Sequence, residues 1–186
     1  MNLIILGPQG SGKGTQAKLL AEKFHITHIS TGALLREEAA TNTEKGKLIS
    51  DILKTGELVP FETVLDVMEP VLIRSKSGFI LDGTPRDLSQ AEYLDSFLAE
   101  RKIIIDKVIL LDIPRDVSLS RLAKRAITEG RSDDTPEAIN ERLDIYNHQT
   151  LPVIDFYRKQ GKLLTIDGTP DINTIFVDIC SKLEKR

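Results

Sequence analysis

The chain has 186 residues, a length that fits one domain with room for a lid or a small insertion. Hydrophobic residues make up 40% and charged residues 28%, which is ordinary for a soluble globular domain with a sizeable core. The formal net charge of −3 argues against a general nucleic-acid or membrane surface, although local arginine clusters can still bind anions.

In chain order, the opening MNLIILGPQG has no basic region and no long apolar run, so cytoplasm is the expected address. Its apolar stretch 3–6 predicts a first strand, and Gln16-Ala17-Lys18-Leu19-Leu20 opens a helix soon after. Four further strands are predicted at 25–29, 78–81, 107–111 and 162–166, most of them without strict alternation, as strands covered on both faces read. Helix-period segments lie between them. The order βαβα therefore predicts an α/β fold, a five-stranded parallel sheet with helices on both sides. The apolar stretch 103–113 is broken by Asp106, Lys107 and Asp112 and cannot span a bilayer. The polar stretch 128–134, with Gly130 inside it, reads as a mobile loop between two helices. Thr135-Pro136-Glu137 then opens a helix carrying Arg142 and Leu143. In the last helix Thr169 is the expected N-cap, with Pro170 and Asp171 in the first turn and Ile172, Ile175, Phe176, Ile179 and Leu183 on one face. The single cysteine, Cys180, excludes an internal disulfide, and no Cys/His cluster suggests a zinc cage.

The chemistry starts at Gly7-Pro8-Gln9-Gly10-Ser11-Gly12-Lys13-Gly14-Thr15, which joins the first strand to its helix. Glycines let a backbone curl with its N–H groups inward, and a helix N-terminus adds partial positive charge. Gly10, Ser11, Gly12 and Gly14 are thus expected around nucleotide phosphates, with Lys13 reaching the β and γ groups. Gly14 stands where the usual pattern has a hydroxyl, so Thr15 is the expected hydroxyl toward Mg²⁺. Asp82, ending an apolar strand, is the expected carboxylate near that ion, acting through water. A ligand-free glycine turn and a turn-capping aspartate are the competing bland readings.

Together with Ser30-Thr31-Gly32-Ala33-Leu34-Leu35-Arg36, Gly56-Glu57-Leu58-Val59-Pro60 and Gly78-Phe79-Ile80-Leu81-Asp82-Gly83-Thr84-Pro85-Arg86, this loop resembles the adenylate kinases. The resemblance continues through Arg121-Leu122-Ala123-Lys124-Arg125, Gly130-Arg131-Ser132-Asp133-Asp134 and Glu141-Arg142-Leu143. It covers residues 3 to about 168. It implies a three-layer phosphate-loop NTPase fold, with core 1–29, 60–123 and 136–186, a small helical AMP-binding segment 30–59 and a short lid 124–135. It further implies a monomer that binds ATP, AMP and ADP with Mg²⁺, and a lid of the short type without zinc. Thr31, Arg36, Glu57, Leu58, Val59, Gly83, Thr84, Pro85, Arg86 and Gln90 would form the AMP site. Arg121 and Arg125 would meet the ATP base and phosphates, Gly168 would lie beside the ATP adenine, and Arg131 and Arg142 would reach the phosphates from the AMP side. Lys13, Arg86, Arg125, Arg131 and Arg142 would be the catalytic set.

These residue types suit the task. Guanidinium forks match phosphate oxygens, and an amide such as Gln90 can meet an adenine edge. A phosphate acceptor is already ionised, so the reaction needs positioning and charge neutralisation rather than a general base. The family usually has an aromatic residue where this chain has Thr84. A UMP or CMP kinase of the same fold is the nearest alternative, which Thr31 and Gln90 disfavour. A non-catalytic nucleotide-binding protein is the alternative from another class.

Overall fold

A computed structural model describes residues 1–129 and 135–184. In chain order it contains β1 (Asn2–Leu6), α1 (Lys13–Phe24), β2 (Thr27–Ser30), α2 (Thr31–Ala39), α3 (Glu44–Thr55), α4 (Phe61–Arg74) and β3 (Phe79–Asp82). Beyond these lie α5 (Leu88–Glu100), β4 (Lys107–Asp112), α6 (Arg115–Glu129), α7 (Pro136–Ile145), a π-helical turn (Tyr146–Thr150), α8 (Leu151–Lys159), β5 (Leu163–Asp167) and α9 (Ile172–Glu184). The sheet is parallel throughout, in the order β2-β3-β1-β4-β5. Each expected strand lies within two residues of an observed one.

The strand residues alternate between two apolar layers, which is why their sequence shows no polar alternation. Ile4, Leu6, Phe79, Leu81, Val108 and Leu110 pack against Met68, Leu72, Leu94, Phe97, Ile154 and Tyr157 from α4, α5 and α8. On the opposite face Leu3, Ile5, Ile80, Ile109 and Leu111 meet Ala17 and Leu20 of α1 and Ile175 and Ile179 of α9. A small separate core of Leu35, Ile49, Val59 and Val64 holds α2 and α3 against the start of α4. Crossing from β1, the chain builds outward to β3 and β2 on one side and to β4 and β5 on the other. That order opens a crevice at the carboxyl ends of the central strands, and β1, β2 and β3 end there at Leu6, Ser30 and Asp82.

Three local expectations need correction. Asp171, not Thr169, caps α9: its Oδ1 accepts from the N–H groups of Asn173 and Thr174 at 2.9 and 3.1 Å. A carboxylate at that position meets both the orphan donors and the helix dipole. Thr169 instead turns back, its N–H and hydroxyl donating to Asp167 Oδ1 at 2.9 and 2.8 Å. Ile172 is 53% exposed and leaves the apolar face, where Cys180 is buried instead. Finally, Thr128 and Glu129 still belong to α6, so the stretch read as a loop from residue 128 begins no earlier than residue 130. Residues 130–134 of that stretch lie outside the described residues.

Ile4, on the central strand, is fully buried, whereas Ile127 is 86% exposed. We expect Ile4→Ala to lower unfolding free energy by about 2–5 kcal/mol and Ile127→Ala to change it by less than about 0.5 kcal/mol. Urea unfolding followed by circular dichroism measures both.

Candidate active site

The loop between β1 and α1 wraps the N-terminus of α1. Gly10 and Gly12 take φ of 80° and 92°, values that side-chain-bearing residues rarely adopt. A Cβ at Gly10 would also lie 2.8 Å from the Ser118 carbonyl oxygen, so the loop is seated directly on α6. The Ser118 hydroxyl completes that seat by donating to the Gln9 carbonyl. Lys13, at the first position of α1, folds its ammonium back over the loop and donates to the carbonyls of Gly7 and Pro8 at 2.7 and 2.8 Å. Burial pushes this ammonium down to about 8; Asp82 opposes the shift, and Arg86 and Arg125 add to it. A polyanion placed beside it would favour the charged form again.

Asp82 closes β3 next to the loop; a Cβ on Gly14 would lie 3.4 Å from its Oδ2. Burial alone would lift its pKa, but His28, Lys13 and Arg86 around it hold the carboxyl below its usual range. His28 Nε2 stands 3.6 Å from Asp82 Oδ2. The exposed hydroxyl of Thr15 and the Asp82 carboxylate both face the same cavity. One carboxylate and one hydroxyl are hard oxygen donors, and that pair fits Mg²⁺, which takes few protein ligands beside substrate phosphates and water. Among the described residues there is no group of three or more His, Cys, Asp or Glu that could hold a metal ion.

At the carboxyl ends of β2 and β3 the chain builds a second set of contacts. The Thr31 hydroxyl donates to the Asp82 carbonyl at 3.1 Å and accepts from the Thr84 hydroxyl at 3.3 Å. Thr84 therefore anchors Thr31, a duty that a phenylalanine, which has no donor, could not perform. Gly83 is required here, because a Cβ on it would meet Thr31 Oγ1 at 2.7 Å. Arg86 donates from Nε to the Gly83 carbonyl at 2.8 Å and from its backbone N–H to Gln90 Oε1 at 2.9 Å. Gln90 is buried and lines the cleft rather than the solvated face of α5. Its oxygen is tied to the backbone, which leaves the amino group as the end available to a ligand. Burial and the neighbouring Arg142 and Arg36 hold the Arg86 pKa below its ordinary value, with Asp82 opposing.

One cavity of about 790 Å³ joins the two halves, near the upper end of the range for ligand pockets. Gly10, Gly12, Lys13, Gly14, Thr15, Arg121 and Arg125 line one part of it. Thr31, Arg36, Glu57, Leu58, Val59, Gly83, Thr84, Pro85, Arg86, Gln90 and Arg142 line the rest. Arg142 is 8% exposed and donates to the Leu53 carbonyl at 3.0 Å, which joins α7 to the end of α3. Glycine at 56 allows that approach, since a Cβ there would sit 2.6 Å from the Ala138 carbonyl oxygen.

Two expected residues fall outside the cavity wall. Ser11 is fully buried in the loop, and its backbone N–H donates to the Pro8 carbonyl at 3.2 Å. Gly168 does not line the cavity, but Arg121 clasps it, donating to the carbonyls of Gly168 and Thr169 at 2.8 and 3.0 Å. Arg131 lies outside the described residues. Sequence reasoning missed His28, Ser118 and Thr150. None sits in a motif, and each matters only through a partner distant in the chain. The Thr150 hydroxyl donates to the Arg86 carbonyl at 2.7 Å across 64 residues.

No described helix is long and apolar enough to cross a membrane. The profile of the family described as Adenylate kinase matches residues 5–162. An adenylate kinase of Stenotrophomonas maltophilia is 44% identical over 99% of this chain and 100% of its own length. One of Phocaeicola vulgatus is 42% identical over 100% and 99%, and one of Xylella fastidiosa is 45% identical over 94% and 95%. With the phosphate loop, the clustered arginines and the parallel sheet in the arrangement described, the chain belongs to the adenylate kinase family.

Proposed function

We propose that this chain catalyses the reversible reaction ATP + AMP = 2 ADP, with the two nucleotides bound in the two parts of the one cavity. The observation that supports this most directly is the convergence of Lys13, Arg36, Arg86, Arg125 and Arg142 on that cavity. So many cations at one site, two of them (Lys13 and Arg86) carrying depressed pKa values, suit two phosphate-bearing ligands. A protein that only bound one nucleotide would not need the second set.

In this assignment the backbone of Gly10, Ser11, Gly12, Gly14 and Thr15 cradles the ATP phosphates. Lys13 turns from the Gly7 and Pro8 carbonyls to phosphate oxygens. Arg121 and Gly168 border the ATP base, and Arg125 faces its phosphates. On the other side Arg36 and Arg86 grip the AMP phosphate, while Thr31, the segment Glu57 to Val59 and Gln90 hold the nucleoside. Gly83, Thr84 and Pro85 support them. Arg142, together with Arg131, would lie between the two phosphate chains. Asp82 and Thr15 would hold Mg²⁺, partly through water, and the ion would supply further neutralisation of phosphate charge. The acceptor oxygen needs no deprotonation, so fixed cations that bring the two polyanions end to end supply the catalysis. Residues 30–59, joined to α4 through a small shared core, form the AMP-binding segment in this picture, and residues 124–135 the short lid that closes to exclude water. The working form is a monomer in the cytoplasm.

A coupled assay for ADP, run with ATP and each of AMP, UMP and CMP, tests the acceptor. AMP should be turned over best, and a preference for UMP or CMP would overturn the acceptor assignment. Lys13→Ala and Arg86→Ala should each lower kcat/KM for AMP by about 10³-fold or more, the scale of a catalytic arginine. Circular dichroism should show both variants folded, and full activity in either would refute its role. A compound joining two adenosines through five phosphates should bind more tightly than either nucleotide, because it fills both sites at once. It should compete with ATP and with AMP; competition with ATP alone would contradict the two-site arrangement.

A further inference from the structure

Arg86 is fixed at three points. Two are local, through Gly83 and Gln90, and the third is the Thr150 hydroxyl on its carbonyl at 2.7 Å. Thr150 is 6% exposed and lines the same cavity. It stands at the end of the π-helical turn Tyr146–Thr150, between α7 and α8. The turn has a local cause. Pro152, near the start of α8, has no N–H to offer the carbonyl of His148, and its ring crowds that carbonyl. The ladder opens there into a wider turn, and the extra residue rotates the downstream side chains by about 100° around the helix axis. Thr150, the last residue of that turn, meets the β3–α5 connection through its hydrogen bond to the Arg86 carbonyl.

We propose that Thr150 is a positioning residue for the acceptor site. Its hydrogen bond fixes the peptide unit of Arg86, and thus the base from which the guanidinium reaches the AMP phosphate. Gln90 holds the N–H of that residue and Thr150 its carbonyl, so the backbone of Arg86 cannot rotate without breaking one or the other. Thr150 touches no reacting atom; it acts through Arg86. The inference rests on the assignment of Arg86 to the AMP phosphate.

Thr150→Val keeps the branched shape and removes the donor, whereas Thr150→Ser keeps the donor and removes a methyl. Initial rates over a grid of ATP and AMP concentrations, together with calorimetric titration of AMP, separate the effects. We expect Thr150→Val to raise KM and Kd for AMP by about three- to tenfold, the scale of one neutral hydrogen bond. KM for ATP should change less than about twofold, and Thr150→Ser should restore wild-type values. In an Arg86→Ala background, Thr150→Val should add no further loss, because both changes act on one contact. Unchanged AMP constants in Thr150→Val, KM for ATP rising in step with KM for AMP, failure of Thr150→Ser to rescue, or additive losses in the double variant would each overturn the proposal. If Thr150→Val does not fold, Thr150→Cys, with its weak donor, is read by the same criteria. Absence of AMP turnover in the unmodified protein would overturn the assignment beneath the inference, and the parallel wild-type rates reveal that separately.

Discussion

Everything in this site depends on holding like charges close together. Burial depresses the Lys13 ammonium, and Arg86 and Arg125 lie near enough to add to it; burial lowers Arg86 too, with Arg142 and Arg36 adding in the same way. Such a cluster disfavours its own charged state until an anion arrives. Asp82, held in the ionised form by His28, Lys13 and Arg86 against its own burial, is a counter-charge that the fold supplies from within. Rigid surroundings are therefore essential, because mobile arginines would move apart and lose the concentrated field that binds phosphate.

The sheet supplies that rigidity. Its two apolar layers bury β1, β3 and β4 on both faces, and the functional groups come directly after the ends of β1, β2 and β3. Helix termini complete the arrangement: α1 presents its N-terminus behind the phosphate loop, and α2 and α5 begin at Thr31 and Leu88 on either side of the acceptor half. The smaller core of Leu35, Ile49, Val59 and Val64 is distinct from both layers. It includes Val64 of α4, so it ties α2 and α3 to a helix that itself packs on the sheet through Met68 and Leu72.

What could be read from the sequence was what depends on neighbours along the chain. The glycine spacing around Lys13, the apolar strand stretches and the Thr135-Pro136-Glu137 helix start are local patterns with local physical causes. The arginines were recognisable as a set only because several motifs occurred in one order. What escaped notice depends on tertiary contact. Ser118 looks like any helical serine until its hydroxyl is found under Gln9. Thr150 gives no signal until the π-helical turn places it against Arg86. Gln90 was visible as a ligand-facing amide, but its bond to the Arg86 backbone was not. At α9 two candidate caps competed within three residues, and only the packing of the β5 turn decided that Thr169 would bind Asp167 and leave Asp171 to the helix.

The Lys13 ammonium is already satisfied by the carbonyls of Gly7 and Pro8. An incoming triphosphate must exchange those two contacts for its own, so the net gain is a difference between partners rather than the full strength of the new ones. That subtraction moderates affinity at the one lysine of the loop. A catalyst whose two products are the same small anion must let both depart on every cycle, and a cation that has a resting place to return to releases its ligand more readily than one left stranded.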